Sequence, residues 1–172
     1  GDAGTGIRAM IYMGFNTPSN LNTINALNMA SGGTATDFGN STITARQQTS
    51  CASSIRGLRA GGYVSSFSDV IDFVTISSTG DATDFGNLTQ ARGGNLGGLS
   101  NNTRGVFAGG YKSSPNDQTN VIDYVTIAQT GNAVDFGDLT ATKSGTGTGV
   151  ASPVRGVFFG GYTPTQVNSI DY

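Results

Sequence analysis

The chain contains no histidine, no tryptophan and no glutamate, and only one cysteine among its 172 residues. Without histidine, the commonest general base, thiol activator and imidazole metal ligand are all missing. A glycosidase pair of carboxylates would have to come from the aspartates alone. These absences argue against an enzyme and predict neither a metal site nor a cofactor.

Charge and long apolar runs are also scarce. Charged residues make up 12% of the sequence, and the formal net charge is −2. The seven arginines and two lysines are spread along the chain and form no basic patch, so nucleic-acid binding is not expected. No run of 18 apolar residues occurs, so membrane insertion is not expected either. Cys51 has no partner for an internal disulfide and is predicted to be a small buried residue.

A repeat dominates the rest of the sequence. An arginine followed by a short run that ends in Gly-Gly-Tyr recurs at Arg56, Arg104 and Arg155, and a degenerate copy begins at Arg8. The steps between these arginines are 48, 48 and 51 residues, a period found in propellers, solenoids and other repeat arrays. We therefore expect one array of three units and about half of a fourth. The predicted units are 1–44, 45–89, 90–140 and 141–172.

Within a unit, the hydrophobic pattern is that of β-strands. In the third unit, Val106–Ala108 is a short apolar run that ends at Gly-Gly, and 121–127 is rich in β-branched and aromatic residues. A third strand is predicted at 133–139 and a fourth, made of small residues, within 140–152. No segment has a 3.6-residue apolar period. The sequence thus predicts an all-β fold with four-stranded antiparallel blades.

The third unit resembles the kelch repeat. Gly109-Gly110 is followed by Tyr124, then by Phe136 where a kelch blade has tryptophan, and then by the turn 140–143. The second unit matches through Gly61-Gly62, Phe73, Phe85 and Gln90-Ala91-Arg92. The chain departs from the family in having no tryptophan and in having Met13-Gly14 at the first Gly-Gly position. The resemblance implies a kelch-like β-propeller, either partial or completed by oligomerisation.

The third unit contains Val-Ile-Asp-Tyr-Val-Thr-Ile at 121–127, followed by Thr-Gly-Asn-Ala and Asp-Phe-Gly-Asp-Leu-Thr. This sequence is also similar to repeats in structural and tail-fibre proteins of marine cyanophages. This resemblance implies a non-catalytic component of the virion that contributes to virion assembly or host attachment. The implied partners are other virion subunits or further chain, and a host cell-surface glycan or protein. The alternative is a secreted or cytoplasmic lectin or adaptor propeller unrelated to phages.

The triplet Asp-Phe-Gly occurs three times, once in each of the first three units. It is also the metal-binding triplet of protein kinases, but a kinase needs a His-Arg-Asp catalytic loop, which a chain without histidine lacks. Recurrence at the repeat period favours an architectural role. We therefore predict that the three phenylalanines are equivalent and buried between adjacent sheets, and that the aspartates accept hydrogen bonds from backbone or arginine. The residues concerned are Phe38, Phe85, Phe136, Asp84 and Asp135.

The repeated Arg56, Arg104 and Arg155 have two interpretations. They could form a ring of guanidinium groups that faces an acidic ligand, or each could pair with a nearby repeated aspartate and hold one blade to the next. The nearly constant spacing, 20 residues from Asp84 to Arg104 and again from Asp135 to Arg155, favours the second interpretation.

Binding is predicted where the units differ. The loop 112–120 of the third unit is three residues longer than its counterpart 64–69, and insertions in repeats map to loops that carry interactions. Phe67 and Tyr111 could stack on a sugar or a partner side chain, or could be packing residues beside the turns. The candidate binding residues are Phe67, Tyr111, Lys112, Asn116, Asp117 and Gln118. Because three and a half units do not close an ordinary propeller, we also expect further chain or other subunits at the ends.

Overall fold

The computed structural model describes residues 8–12, 14–113, 117–146 and 149–172, and within these ranges the chain has strands, turns and loops but no helix. Apart from one two-stranded hairpin, the described strands form four antiparallel sheets in chain order. In sheet one, β3 pairs with each of the other three strands. The strands of sheet one are β1 (Arg8–Tyr12), β2 (Phe15–Asn16), β3 (Ser19–Asn28) and β4 (Thr36–Ala45).

Sheets two and three repeat one four-stranded meander. Sheet two contains β5 (Thr49–Ala52), β6 (Arg56–Ala60), β7 (Val70–Thr75) and β8 (Thr83–Asn87), paired in chain order. Sheet three contains β9 (Gly97–Ser100), β10 (Arg104–Ala108), β13 (Val121–Thr126) and β14 (Val134–Asp138), also paired in chain order. The loop between β10 and β13 holds a small hairpin of β11 (Tyr111–Ser113) and β12 (Asp117–Gln118).

Sheet four has three strands among the described residues, namely β15 (Gly149–Ala151), β16 (Gly156–Phe159) and β17 (Ile170–Asp171). The first strands of sheets two, three and four lie side by side, because β9 contacts both β5 and β15. Ser100 Oγ on β9 joins two of them by donating to the Ala52 carbonyl at 2.7 Å. The sheets therefore stack face against face along the chain.

Three apolar clusters fill the spaces between successive sheets. The cluster between sheets one and two contains Ile24, Phe38 and Val74, and the cluster between sheets three and four contains Leu99, Leu139 and Phe158. The largest cluster lies between sheets two and three. Each sheet therefore buries its apolar side chains against the next sheet, as is typical of repeat proteins. The buried members of the largest cluster are Cys51, Leu58, Ala60, Ile71, Phe85, Leu88, Leu96, Phe107, Val125, Ile127 and Ala133.

The Gly-Gly pairs end the second strand of sheets two, three and four because the backbone there enters the left-handed region. Gly61 and Gly62 have φ values of +67° and +109°, which side chains other than glycine rarely adopt. The chain then turns into the loop that leads to the third strand.

The predicted all-β fold with antiparallel sheets is confirmed. The strands predicted at 106–108, 121–127 and 133–139 are present as β10, β13 and β14. The fourth strand predicted for the third unit within 140–152 is corrected: the described strand there, Gly149–Ala151, is the first strand of sheet four, and the fourth strand of sheet three is β9.

Candidate functional site

A buried aspartate on the third strand of sheets two, three and four accepts hydrogen bonds from an arginine or lysine side chain and from a threonine. In sheet two, Asp72 accepts hydrogen bonds from Nε and Nη2 of Arg59, both at 3.0 Å, and both side chains are buried. The backbone N–H and the hydroxyl of Thr42, on the outer strand β4 of sheet one, donate to the same carboxylate at 2.9 and 2.7 Å. Asp72 therefore links its own sheet to the preceding one.

Sheets three and four repeat this arrangement. Asp123 accepts from Arg92 Nη2 at 2.8 Å and from the hydroxyl of Thr89 at 2.6 Å. Asp171 accepts from Lys143 Nζ and from the hydroxyl of Thr140. All three cations are buried, so each carboxylate is neutralised within the protein interior, as a buried charge requires.

The cation that reaches the aspartate comes from different places in the chain. In sheet two it is Arg59 on the second strand, 13 residues before its aspartate, whereas Arg92 lies in the linker from the preceding sheet, 31 residues before its own. The repeat places Phe107 at the position of Arg59, and Ala45 at the position of Arg92. Both Phe107 and Ala45 are buried, so in sheet two, where β6 supplies the cation, the position equivalent to Arg92 holds a small residue at the end of β4.

The first unit lacks both partners of this ion pair. Its equivalents of Asp72 and Arg59 are Asn25 and Ile11, which carry no charge. Across the repeats, the aspartate and its cation are therefore present together or absent together. This pairing assigns the buried charges to the scaffold.

Burial and hydrogen bonding shift the pKa values of residues in these pairs. Burial would raise the pKa of Asp171, but hydrogen bonds from Lys143 and Thr140 outweigh it and hold the pKa below its ordinary value. Burial lowers the pKa of Arg92, and Asp123 opposes that shift. Burial also raises the pKa of the Cys51 thiol to about 12, which leaves the thiol protonated and unreactive near neutral pH.

The leading arginines do not have the aspartate partners predicted for them. Arg56 donates from Nη1 to the carbonyl of Ile127, in the next sheet, at 2.9 Å, and its guanidinium lies 4.4 Å from the centroid of the Phe73 ring. Arg104 lies over Tyr124 at 5.0 Å and Arg155 over Tyr172 at 5.4 Å.

Strand register explains this correction. Arg104 is opposite Thr126 on β13, so its side chain extends over the ring of Tyr124, two residues along the same face. The predicted partner Asp135 lies on the outer strand β14, where it is exposed and accepts from the backbone N–H of Gly137 at 2.8 Å. Asp84 is likewise exposed.

The three phenylalanines of Asp-Phe-Gly are not equivalent in burial. Phe38 and Phe85 are 3% and 2% exposed, as predicted, but Phe136 is 54% exposed, which contradicts the prediction. The reason is the neighbouring sheet. The turns around Gly80 and Gly131 cover the first two rings, and no described residue takes that place on sheet three.

The candidate binding residues lie along one row of loops. Each tyrosine after a Gly-Gly forms an isolated β-bridge with the linker that enters its sheet, and the bridged pairs are Arg46 with Tyr63, Gly93 with Tyr111, and Ser144 with Tyr162. In the same row, Phe67 packs edge-on against Tyr63, with ring centroids 5.4 Å apart. The rings of Phe67 and Tyr111 are half-buried, so packing beside the turns accounts for part of their surface.

The long loop of the third unit projects from this row. Lys112 and Asp117 form an exposed ion pair of 3.5 Å across the β11–β12 hairpin. Gln118 reaches sheet four, where its side-chain amide donates to the Tyr162 carbonyl at 2.7 Å. The predicted residue Asn116 lies outside the described residues. The structure thus brings Tyr111, Lys112, Asp117 and Gln118 together in one hairpin.

Sequence reasoning did not find a cleft of about 840 Å³ between sheets three and four. Its walls include Arg104, Phe136 and Gly137 from sheet three and Arg155 and Tyr172 from sheet four. The cleft is the counterpart of the filled space between sheets two and three. The repeated sequence could not have revealed it, because the same residues are buried in the earlier units.

Within the described ranges, no group of three or more potential metal-ligating side chains is close enough to hold an ion. The same part of the chain has no helix that could span a membrane. In comparisons with known proteins, no protein-family profile and no curated sequence matches the chain.

Proposed function

We propose that the protein is a non-catalytic structural and adhesion module of a phage virion or tail fibre, built as part of a kelch-like β-propeller. The observation that carries this proposal is the use of the repeated polar residues. The buried aspartates and their cations pair with each other within the stack of sheets, and the described residues contain no group of three or more potential metal ligands.

The arrangement of the sheets supports the propeller. The first strands of sheets two, three and four pack side by side, and these three sheets are antiparallel meanders, as in propeller blades. The sequence of the repeat is similar to repeats in structural proteins of cyanophages, which supports a place in the virion. The proposed partners are other virion subunits and a host cell-surface glycan or protein.

We assign attachment to the host to the loop row, the row of loops that contains Tyr63, Tyr111 and Tyr162. The repeats differ in these loops, whereas the contacts between their sheets recur. The β11–β12 hairpin lies in the loop that is three residues longer than its counterpart in the second unit, and it exposes Lys112 and Asp117. A charged, exposed insertion on a rigid sheet scaffold is a common form of binding surface.

The virion assignment is tested by mass spectrometry and immunogold labelling of purified cyanophage particles that encode this chain. We expect its peptides in the particles and the label on the tail or its fibres. Absence from particles, together with secretion or accumulation in the cytoplasm, would replace the proposal with the lectin or adaptor alternative.

The attachment assignment is tested by a loop exchange in which residues 64–69 replace residues 112–120. We expect the variant to fold, as judged by circular dichroism, and to lose binding to host cells. The control is Val134→Ala, an exposed change on β14 away from the loop row, which should leave cell binding unchanged. Equal binding by the loop variant would remove the hairpin from the proposal.

A further inference from the structure

The linker that enters sheet two places an arginine at the loop row. Arg46 N–H donates to the Tyr63 carbonyl at 3.1 Å, and Tyr63 N–H donates to the Arg46 carbonyl at 2.7 Å. The Arg46 guanidinium lies 5.0 Å from the centroid of the Tyr63 ring and 5.0 Å from the centroid of the Phe15 ring in sheet one. Arg46 therefore contacts aromatic rings of two neighbouring sheets.

This arginine differs from those that hold the sheets together, because it has no acceptor. Arg59 pairs with a buried aspartate, and Arg56 donates to a backbone carbonyl of the next sheet. Arg46 Nε is buried without an acceptor, and within the described ranges its guanidinium forms no ion pair with a carboxylate. A buried donor without a partner is costly, so in a native structure it requires an explanation.

A second buried polar atom without a partner belongs to the same junction of sheets one and two. Asn20 on β3 donates from Nδ2 to the carbonyls of Tyr63 and Val64 at 3.3 and 3.1 Å. Its Oδ1 is buried and accepts no hydrogen bond from the part of the chain that the structure describes. Because Asn20 and Arg46 converge on the Tyr63 carbonyl, the junction holds one unsatisfied charged donor and one unsatisfied neutral acceptor.

The fold does not require an arginine at this point. The equivalent positions in the next two linkers are Gly93 and Ser144, which form the same β-bridge with Tyr111 and Tyr162. Glycine and serine thus make the backbone contact that Arg46 makes, and the guanidinium is an addition to it. A polar difference between repeats in a loop on a rigid scaffold points to recognition of a ligand.

Aromatic rings surround the guanidinium. Phe15 is 48% exposed and pairs with Asn20 across β2 and β3, and Phe67 packs edge-on against Tyr63. The negative face of an aromatic ring attracts weakly positive C–H groups, which a sugar ring carries on its flat side. The junction therefore combines apolar ring faces with a few polar groups, as is typical of small-ligand sites.

The charge of the site favours one kind of anion. The planar N–H groups of a single guanidinium match the two oxygens of a carboxylate, which carries one negative charge. A phosphate monoester carries about two negative charges near neutral pH and needs further cations. Lys112, in the same loop row, is already paired with Asp117. A carboxylate for the arginine and a hydroxyl for the asparagine occur together on a sugar acid.

We infer that the junction of sheets one and two in the loop row binds a carboxylated sugar, such as a uronic acid of a surface glycan. The sugar carboxylate accepts from Arg46, a hydroxyl donates to Asn20 Oδ1, and the sugar ring lies on Phe15. Rotation of the Phe15 side chain, a change of the kind common on binding, admits the sugar to both polar groups. The inference deepens the proposed attachment and rests on the proposed function only for the source of the glycan.

The test is isothermal titration calorimetry of the whole chain with trigalacturonic acid and with its methyl ester, which has the same rings without negative charge. We expect saturable binding of the acid and about tenfold weaker binding of the ester. Arg46→Ser introduces the residue that the repeat has at Ser144, so the variant should fold. It should bind the acid about tenfold more weakly, because a charged hydrogen-bond donor is lost.

Arg104→Ser is the matched control. It removes one exposed positive charge at the end of β10 that lies away from the loop row. It should bind trigalacturonic acid as the parent chain does, and circular dichroism should show that both variants are folded. No binding of the acid, equal binding of the acid and its ester, or an equal effect of the two variants would overturn the inference.

An acidic peptide is the other occupant to be tested. Oligoglutamate that binds more tightly than trigalacturonic acid, and loses affinity in Arg46→Ser, would assign the junction to a protein partner and overturn the inference. Calorimetry on the purified chain does not depend on where the protein is found. Failure of sugar binding therefore leaves the virion labelling unaffected, and absence from virions overturns the proposed function without removing this site.

Discussion

At the scale of single residues, the buried charges illustrate how a repeat keeps an interaction while changing its sequence. The carboxylate stays on the third strand, but its cation is Arg59 in one sheet and Arg92 in the next. Both guanidinium groups occupy equivalent points because strand and linker converge beside the aspartate. The requirement is a neutralised carboxylate, and the position that supplies the cation is free to change.

This interchange can be tested by converting sheet two to the arrangement of sheet three. Arg59→Phe leaves Asp72 without its cation and should lower the free energy of unfolding by about 3–5 kcal/mol. Adding Ala45→Arg supplies the cation from the end of β4, the position equivalent to Arg92, and should recover part of that loss. Urea denaturation of the two single variants and the double variant should give a favourable coupling energy of about 1–3 kcal/mol. Additive effects would show that position 45 does not reach the carboxylate.

At the scale of strands and turns, the joints between sheets depend on glycine. Gly86 on β8 has a φ of +145° and lies against the Gly131 carbonyl, whereas Gly137 on β14 has a similar φ of +131° and an open surface. The two positions therefore share a backbone conformation and differ in their contacts. The outer strand needs glycine for its conformation everywhere, and for close approach only where a turn covers it.

This pair of glycines gives a matched comparison. Both Gly86→Ala and Gly137→Ala strain the backbone, but only Gly86→Ala places a methyl group 2.4 Å from a carbonyl oxygen. We expect Gly86→Ala to be the more destabilising by about 1–3 kcal/mol in urea denaturation. Equal losses would mean that the joint between sheets two and three relaxes without cost.

At the scale of the whole molecule, stability is distributed along the stack. Sheet two is packed on both faces, against sheet one and against sheet three, through two of the apolar clusters. Sheet four is packed against sheet three, and its third strand is only two residues long. In a stack of repeats, local opening depends on the number of packed neighbours.

Native-state hydrogen exchange should therefore vary from sheet to sheet. We expect the amides of β6 and β7 to exchange slowest and those of β16 and β17 fastest, with opening free energies that differ by about 2 kcal/mol or more. Uniform protection across the four sheets would indicate one cooperative unit instead.

The sequence by itself determined the all-β class, the strands β10, β13 and β14 and the burial of Phe38 and Phe85, because these depend on local pattern and on contacts that recur in the first two units. Only the tertiary structure decided which cation meets which aspartate, because Arg59 and Arg92 lie 13 and 31 residues from their partners and converge only after folding. It also decided the exposure of Phe136, whose triplet is identical to that of Phe85. In a stack of sheets, the burial of a residue depends on the neighbouring sheet as well as on the residue itself, and only the tertiary structure shows where the neighbouring sheet lies.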